Sequence, residues 1–377
     1  MDEHDIIAMP EEARASLAER NEPRAHNGHQ PRAQAQRTHG ARWRDYTAFV
    51  LSGGGARGAL QVGALRALLE YGITPDIVIG TSIGAWNGAW LARTPTLEHI
   101  DALATAWRSL SPERILLGTE LPSSTIPRAT RGARIITVAR RLTSGAPSLY
   151  SDAGLQYVIN TYLKDLTFED LAVPLFIIAT NLTSGERTIF NSGPIAPAVL
   201  ASSAIPGIFP PVRYNGSVYV DGGALDNCSL ETALAQGARR LFILDVGWDE
   251  LSAGAALWTE DREPRKAHET HATRPARSSY AAHPLGAVLE RTVQVISRYQ
   301  LEQALQRLPR GIEAHVISSG MAGGGALEFD HAPRLIDRGY EMASTYLRER
   351  KPAPSRPREH AAPQPEEEED ARTTHTG

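Results

Sequence analysis

The chain has 377 residues, 42% of them hydrophobic and 22% charged, with 39 Lys and Arg against 43 Asp and Glu for a net charge of −4. This balance excludes collagen-like, wholly disordered and membrane-embedded classes, and the length suits either one α/β core with tails or two average domains. The single cysteine, Cys228, cannot form an intramolecular disulfide, and with no Lys/Arg block interleaved with aromatics, nucleic-acid binding is not expected.

Residues 1–45 are mostly Ala, Arg, Gln, His, Asn, Glu and Pro, too little apolar surface to offset the entropy of ordering, and they predict a disordered leader. Met1–Glu12 has no basic segment followed by an apolar run, so it does not read as a secretory signal, and no stretch of about 18 apolar residues suggests a membrane span. From there short apolar runs alternate with helical patterns. Thr47–Ser52 reads as a strand, Ala59–Tyr71 as a helix, Ile77–Ile79 as a strand and Ile83–Ala92 as a helix. Leu175–Thr180, Ser217–Val220, Leu241–Val246 and Glu313–Ser318 read as further buried strands, with helices over Leu285–Leu308 and Arg334–Arg348. This rhythm predicts an α/β fold of three layers, helices on both faces of a mostly parallel central sheet, over residues 46–350. Residues 258–282 are polar and Pro-containing and read as a surface insertion; residues 351–377, with the acidic run Glu366–Asp370, read as a disordered tail.

The first strand ends in Gly53-Gly54-Gly55-Ala56-Arg57-Gly58 and a helix follows at once. Unpaired backbone N–H groups at such a helix start bind an anion or a developing oxyanion. The spacing also matches a dinucleotide loop, but the acidic ribose partner at the end of the second strand is missing, and no Gly-Lys-Ser/Thr closes a phosphate-binding Walker loop. Gly80-Thr81-Ser82-Ile83-Gly84 lies between a β-run and a helix, the setting of a nucleophile elbow in which glycines permit the sharp turn and the serine hydroxyl stands above the sheet. Trp86 and Trp90, one turn apart on that helix, read as core packing. Between residues 41 and 260 the single histidine, His99, sits in a polar helical pattern with no reason to lie beside Ser82. Asp221 instead ends a strand, and Gly222-Gly223 turns the chain away, leaving a carboxylate at the sheet edge where α/β sites form.

These three motifs in order, with Ala201–Val212, Ala179–Glu186 and Phe329-Asp330, resemble the patatin-like phospholipases over roughly residues 47–347. One departure is Cys228-Ser229, where family members often have a proline. The resemblance implies a dyad: Ser82 as nucleophile, Asp221 as proton acceptor, and an oxyanion hole from Gly53, Gly54, Gly55 and Arg57, the motifs being completed by Gly58, Gly80, Gly84, Gly222 and Gly223. It implies hydrolysis of a fatty acyl ester lipid through an acyl-enzyme, with no metal and no cofactor. A cytoplasmic location is expected from the lone cysteine and the lack of a secretory signal, and a lipid substrate implies transient peripheral contact with a membrane, for which Arg262, Arg265, Lys266, Arg274 and Arg277 of the insertion offer cations to anionic headgroups. Two other readings stand beside it. An α/β-hydrolase triad would use Ser82, Asp245 and His331; a catalytically silent module would hold a lipid headgroup or phosphate in the glycine loop while Ser82 merely capped its helix.

Overall fold

The computed structural model describes residues 46–117, 140–141, 143–246, 284–318 and 325–355, the side chains of 284–290 excepted. The expected leader, the insertion at 258–282 and the acidic run lie outside the described residues.

In chain order the elements are β1 (Tyr46–Leu51), α1 (Ala59–Glu70), β2 (Ile77–Thr81), α2 (Ile83–Arg93), α3 (Leu97–Arg108), α4 (Pro112–Leu117), α5 (Ala153–Leu163), β3 (Leu175–Asn181), β4 (Glu186–Phe190) and α6 (Ile195–Ser202). They continue with β5 (Val212–Tyr214), β6 (Ser217–Asp221), α7 (Leu230–Ala235), β7 (Ala238–Asp245), α8 (Pro284–Gln306), β8 (Glu313–Ser318) and α9 (Ala332–Arg350). The eight strands form one sheet in the order β5-β6-β3-β2-β1-β7-β8, with β4 also paired to β3. The central pairs β3–β2, β2–β1, β1–β7 and β7–β8 are parallel, and the antiparallel pairs gather at the β4, β5 and β6 end.

The central strands are continuous apolar runs because both faces of the sheet are covered. Alternation along β1 shows it directly. Phe49 and Leu51 join the larger core with α1, α2, α3, α5 and α9, whereas Ala48 and Val50 join a second core with Leu230 of α7 and Leu301 of α8. All four are fully buried. The expected three-layer α/β architecture is therefore the observed one.

Two strands went unread in the sequence, and both are physically atypical. β4 is half exposed and polar in Glu186-Arg187-Thr188, and β5 is only three residues long, joined to β6 by a tight hairpin at Asn215-Gly216, both of positive φ. The described chain also continues past α9, where Ser355 donates its N–H to the Gly72 carbonyl at 2.9 Å and accepts the Thr74 N–H at 2.8 Å. Lys351–Ser355, expected in the tail, is thus laid against the loop between α1 and β2. Among the described residues no helix is long and apolar enough to cross a membrane.

Candidate active site

Strand register brings the key side chains together. Thr81 at the end of β2 lies opposite Ile178, so Ser82 comes level with Ala179, whose antiparallel partner on β6 is Asp221. Residues 139 apart in sequence then meet: the Ser82 hydroxyl donates to Asp221 Oδ2 at 2.6 Å. Both are buried, at 5% and 7% exposure. Ser82 has φ 54° and ψ −122°, a strained conformation for a residue with a Cβ and the geometry of a nucleophile elbow. The turn is sharp enough that a Cβ on Gly84 would strike the Leu51 carbonyl, so α2 starts flush against the end of β1.

Asp221 accepts the Gly223 N–H on its other oxygen at 2.8 Å, which orients the carboxylate. Burial raises its pKa from 3.8 to about 6, against the opposing pull of the hydrogen bonds from Ser82 and Gly223. A carboxylate so tuned accepts a proton from a hydroxyl more readily than an ordinary aspartate does. Gly222 follows Asp221 at the start of this turn, and Gly80 lies within β2.

The glycine loop differs in one respect from the expectation. The Gly53 N–H, expected among the oxyanion donors, already donates to Asn227 Oδ1 at 2.9 Å. The N–H groups of Gly54 and Gly55, by contrast, donate to no acceptor among the described residues, and both glycines line the cleft over Ser82. Gly55 has φ 59°, and a Cβ there would collide with the Ala326 carbonyl, which accepts the next N–H, from Ala56, at 2.7 Å. Arg57 is buried on the wall of the same cleft, and Gly58 packs against Ile83 just before α1.

Several supporting residues escaped the sequence reading. The Ser202 hydroxyl accepts the Ser82 N–H at 2.8 Å and donates to the Ile178 carbonyl at 2.5 Å, pinning the elbow to β3. The turn after Asp221 is held by Arg187 of β4, 2.5 Å from Asp226, and the Asp226 carbonyl accepts the Thr81 hydroxyl at 3.3 Å. Beneath the glycine loop, Gln61 donates to the Ser52 carbonyl at 2.8 Å, and Asn87 donates to the Gly58 carbonyl and to Gln61 Oε1, both at 2.9 Å. The loop is therefore gripped at both ends by fully buried amides, one of them on the helix that Ser82 begins. No local pattern announces such partners, since most of them act across tens to more than a hundred residues and even Gln61 reaches back nine to Ser52.

Two cavities open at Ser82. One is a cleft of about 350 Å³ whose walls include Arg57, Asp221, Asn227 and, from α8, Val293 and Ile296. The other is a narrow slot of about 50 Å³ lined from α2, α4, α5 and α6 and by Ala326, Leu327 and Phe329. Trp86, read as core, is buried and also walls this slot. No histidine lines either cavity among the described residues. His331, at the start of α9, has Glu328 3.6 Å from its ring, and Asp245 is buried at the end of β7, so the triad reading finds no base at Ser82. Among the described residues no group of three or more His, Cys, Asp or Glu is placed to hold a metal ion.

The fold and site define a class: an α/β protein with a hydrogen-bonded serine–aspartate pair at the strand ends of a mostly parallel sheet, beside a glycine loop with open N–H groups. Residues 49–234 match the sequence model described as Patatin-like phospholipase, so this part of the chain is a patatin-like phospholipase domain. Patatin-like phospholipase domain-containing protein 7 of Rattus norvegicus is 34% identical over 202 residues, covering 53% of this chain and 13% of the rat protein. Lysophospholipase NTE1 of Mycosarcoma maydis is 32% identical over 199 residues, covering 53% of this chain and 10% of that protein. The chain thus matches only a small fraction of the length of these relatives. Among solved structures, VipD from Legionella pneumophila is 17% identical with a TM-score of 0.39, over 81% of this chain and 67% of that one. At that score the likeness adds nothing to the sheet order described above.

Proposed function

We propose that this domain is a lipid acyl hydrolase in which Ser82 and Asp221 act as a dyad. The observation that carries the reading is the 2.6 Å hydrogen bond between a strained, buried serine and a buried carboxylate whose pKa is raised to about 6. Ser82 Oγ attacks the ester carbonyl carbon while its proton passes to Asp221 Oδ2. The carbonyl oxygen becomes an oxyanion held by the N–H groups of Gly54 and Gly55, with the Arg57 charge nearby. Collapse of the tetrahedral species breaks the ester bond, and the leaving alcohol takes the proton from Asp221. Water, deprotonated by the same carboxylate, then cleaves the acyl-serine and releases the fatty acid. Family membership and a relative named lysophospholipase support a lipid ester as substrate.

The surroundings of the cleft favour transient contact with a lipid surface. Val293 and Ile296 line it yet are 52% and 42% exposed, and Leu225, in the turn after Asp221, is 46% exposed. Apolar side chains around a site mouth let a lipid tail leave a bilayer without crossing water.

The test is labelling by a fluorophosphonate, which reacts with an activated serine and not with a helix cap, together with hydrolysis of p-nitrophenyl butyrate and phospholipid vesicles. Wild type labels and hydrolyses; Ser82→Ala does neither, and Asp221→Asn loses hydrolysis while His331→Ala keeps it. Full activity in Asp221→Asn would refute the dyad.

A further inference from the structure

We infer that the narrow slot beside Ser82 is the acyl-chain site and that the wider cleft takes the leaving alcohol, so that α5 and α6 set acyl-chain preference. The inference rests on the hydrolase reading above and adds a division of the site into two arms.

Gly55, Ser82, Ile205, Ala326 and Leu327 line both cavities, and these five residues form the neck between them. An ester carbonyl held at Ser82 and the glycine loop therefore sends one substituent into each arm. The arms differ in chemistry. Apart from Gly55 and the two serines Ser82 and Ser203, every described wall of the slot is apolar, with Leu110, Ile115, Val158, Ile159, Val199 and Phe329 contributing. Val158, Ile159 and Val199 are at 5%, 2% and 1% exposure, so these walls are part of the large core. A polar alcohol or headgroup pushed in there would shed its water and find almost no partner, a penalty of several kcal/mol for one unpaired group. An alkyl chain loses nothing by the same transfer and gains for each methylene buried. The cleft is also walled mostly by apolar residues, but it is wider and adds the polar side chains of Gln294 and Ser297 on α8, so it can take the leaving alcohol that the slot cannot.

The slot is also the smaller of the two, about 50 Å³ against about 350 Å³ for the cleft, which favours a slender alkyl chain there over a bulky group. Position in the fold explains why it is separate. Its walls come mainly from α2, α4, α5 and α6, in the stretch from the end of β2 to just after β4, with Phe329 added from before α9, while the cleft takes Val293, Gln294, Ile296 and Ser297 from α8.

The experiment measures kcat/KM for p-nitrophenyl acetate, butyrate, octanoate and laurate with wild type, Val158→Phe, Val199→Phe and, as the matching change in the cleft, Ala224→Trp. In wild type kcat/KM rises from acetate toward octanoate by up to about fourfold per methylene, the gain that burying each one in the slot gives. Both slot variants lower the octanoate-to-acetate ratio at least about tenfold, the loss of roughly two buried methylenes. Ala224→Trp leaves that ratio within about twofold. The ratio does not depend on how much of a variant is folded. A flat wild-type series, or slot variants with the wild-type ratio, would overturn the inference; a ratio that falls only in Ala224→Trp would place the acyl chain in the cleft instead. Fluorophosphonate labelling separates the two levels: labelled Ser82 with an unaltered ratio fails the slot alone, whereas no labelling and no hydrolysis of any ester fails the hydrolase reading and the slot with it.

Discussion

Replacing Asp221 by Asn removes the proposed base and should at the same time stabilise the fold. The carboxyl is buried, and burial raises its pKa from 3.8 to about 6. Because the folded-state pKa is raised, the stability tied to this group is complete below pH 4 and is lost as pH rises through 6: the unfolded chain ionises first and the native state is forced to hold a buried charge. Above pH 7 the cost is the difference between 3.8 and about 6 multiplied by about 1.36 kcal/mol per pKa unit, or about 3 kcal/mol. Asparagine presents the same shape and an amide oxygen for the Gly223 N–H without the charge. Asp221→Asn should therefore unfold about 3 kcal/mol less readily at pH 8, a rise in Tm of roughly 6 °C for a domain of this size, and by about half as much at pH 5, where the native carboxylate is already mostly protonated. Calorimetry or denaturant unfolding of both proteins at the two pH values measures it. A variant equal to or weaker than wild type at pH 8, or a gain that does not shrink at pH 5, would refute the claim that a buried charge is held here at a cost to stability.

The same carboxylate sets a pH profile: kcat/KM should be flat above pH 7 and fall with a single-proton slope as pH drops through about 6, to about a tenth of its plateau at pH 5. Asn227→Ala frees the Gly53 N–H and loosens the glycine loop, so kcat should fall by about 10- to 100-fold with KM changed only about twofold, as steady-state kinetics would reveal. Ser202→Ala takes the acceptor from the buried Ser82 N–H and a donor from the Ile178 carbonyl, which should cost about 1–3 kcal/mol in thermal or chemical unfolding and slow fluorophosphonate labelling.

Much of the fold could be read from local pattern. Fully buried parallel strands announce themselves as apolar runs, and Glu313–Ser318 was read to the residue while β2 and β3 were short by two residues and one. What escaped was structure whose reason is not local. β4 exists because its backbone pairs with β3 along Ile177–Asn181, although its own residues are mostly polar, and β5 is a three-residue strand carried by the hairpin. Ser82 and Asp221 could be picked out because each needs a particular turn, and the glycines that permit those turns are visible in a linear string. Ser202, Asn227 and Gln61 could not, because a serine or an amide has no signature until its distant partner is in place.

The sequence by itself determined the βα rhythm, the elbow at Ser82, the strand-end carboxylate at Asp221 and the glycine loop, since each follows from short-range stereochemistry and patterning. Tertiary structure alone decided how those parts divide the work. Register across β2, β3 and β6 set the 2.6 Å contact, and burial of that contact moved the Asp221 pKa. Packing also selected the loop N–H groups left open, because Asn227, 174 residues away, occupies the first of them and leaves those of Gly54 and Gly55. A backbone donor has no preference written in its own residue type; only the approach of an acceptor decides whether it is spent.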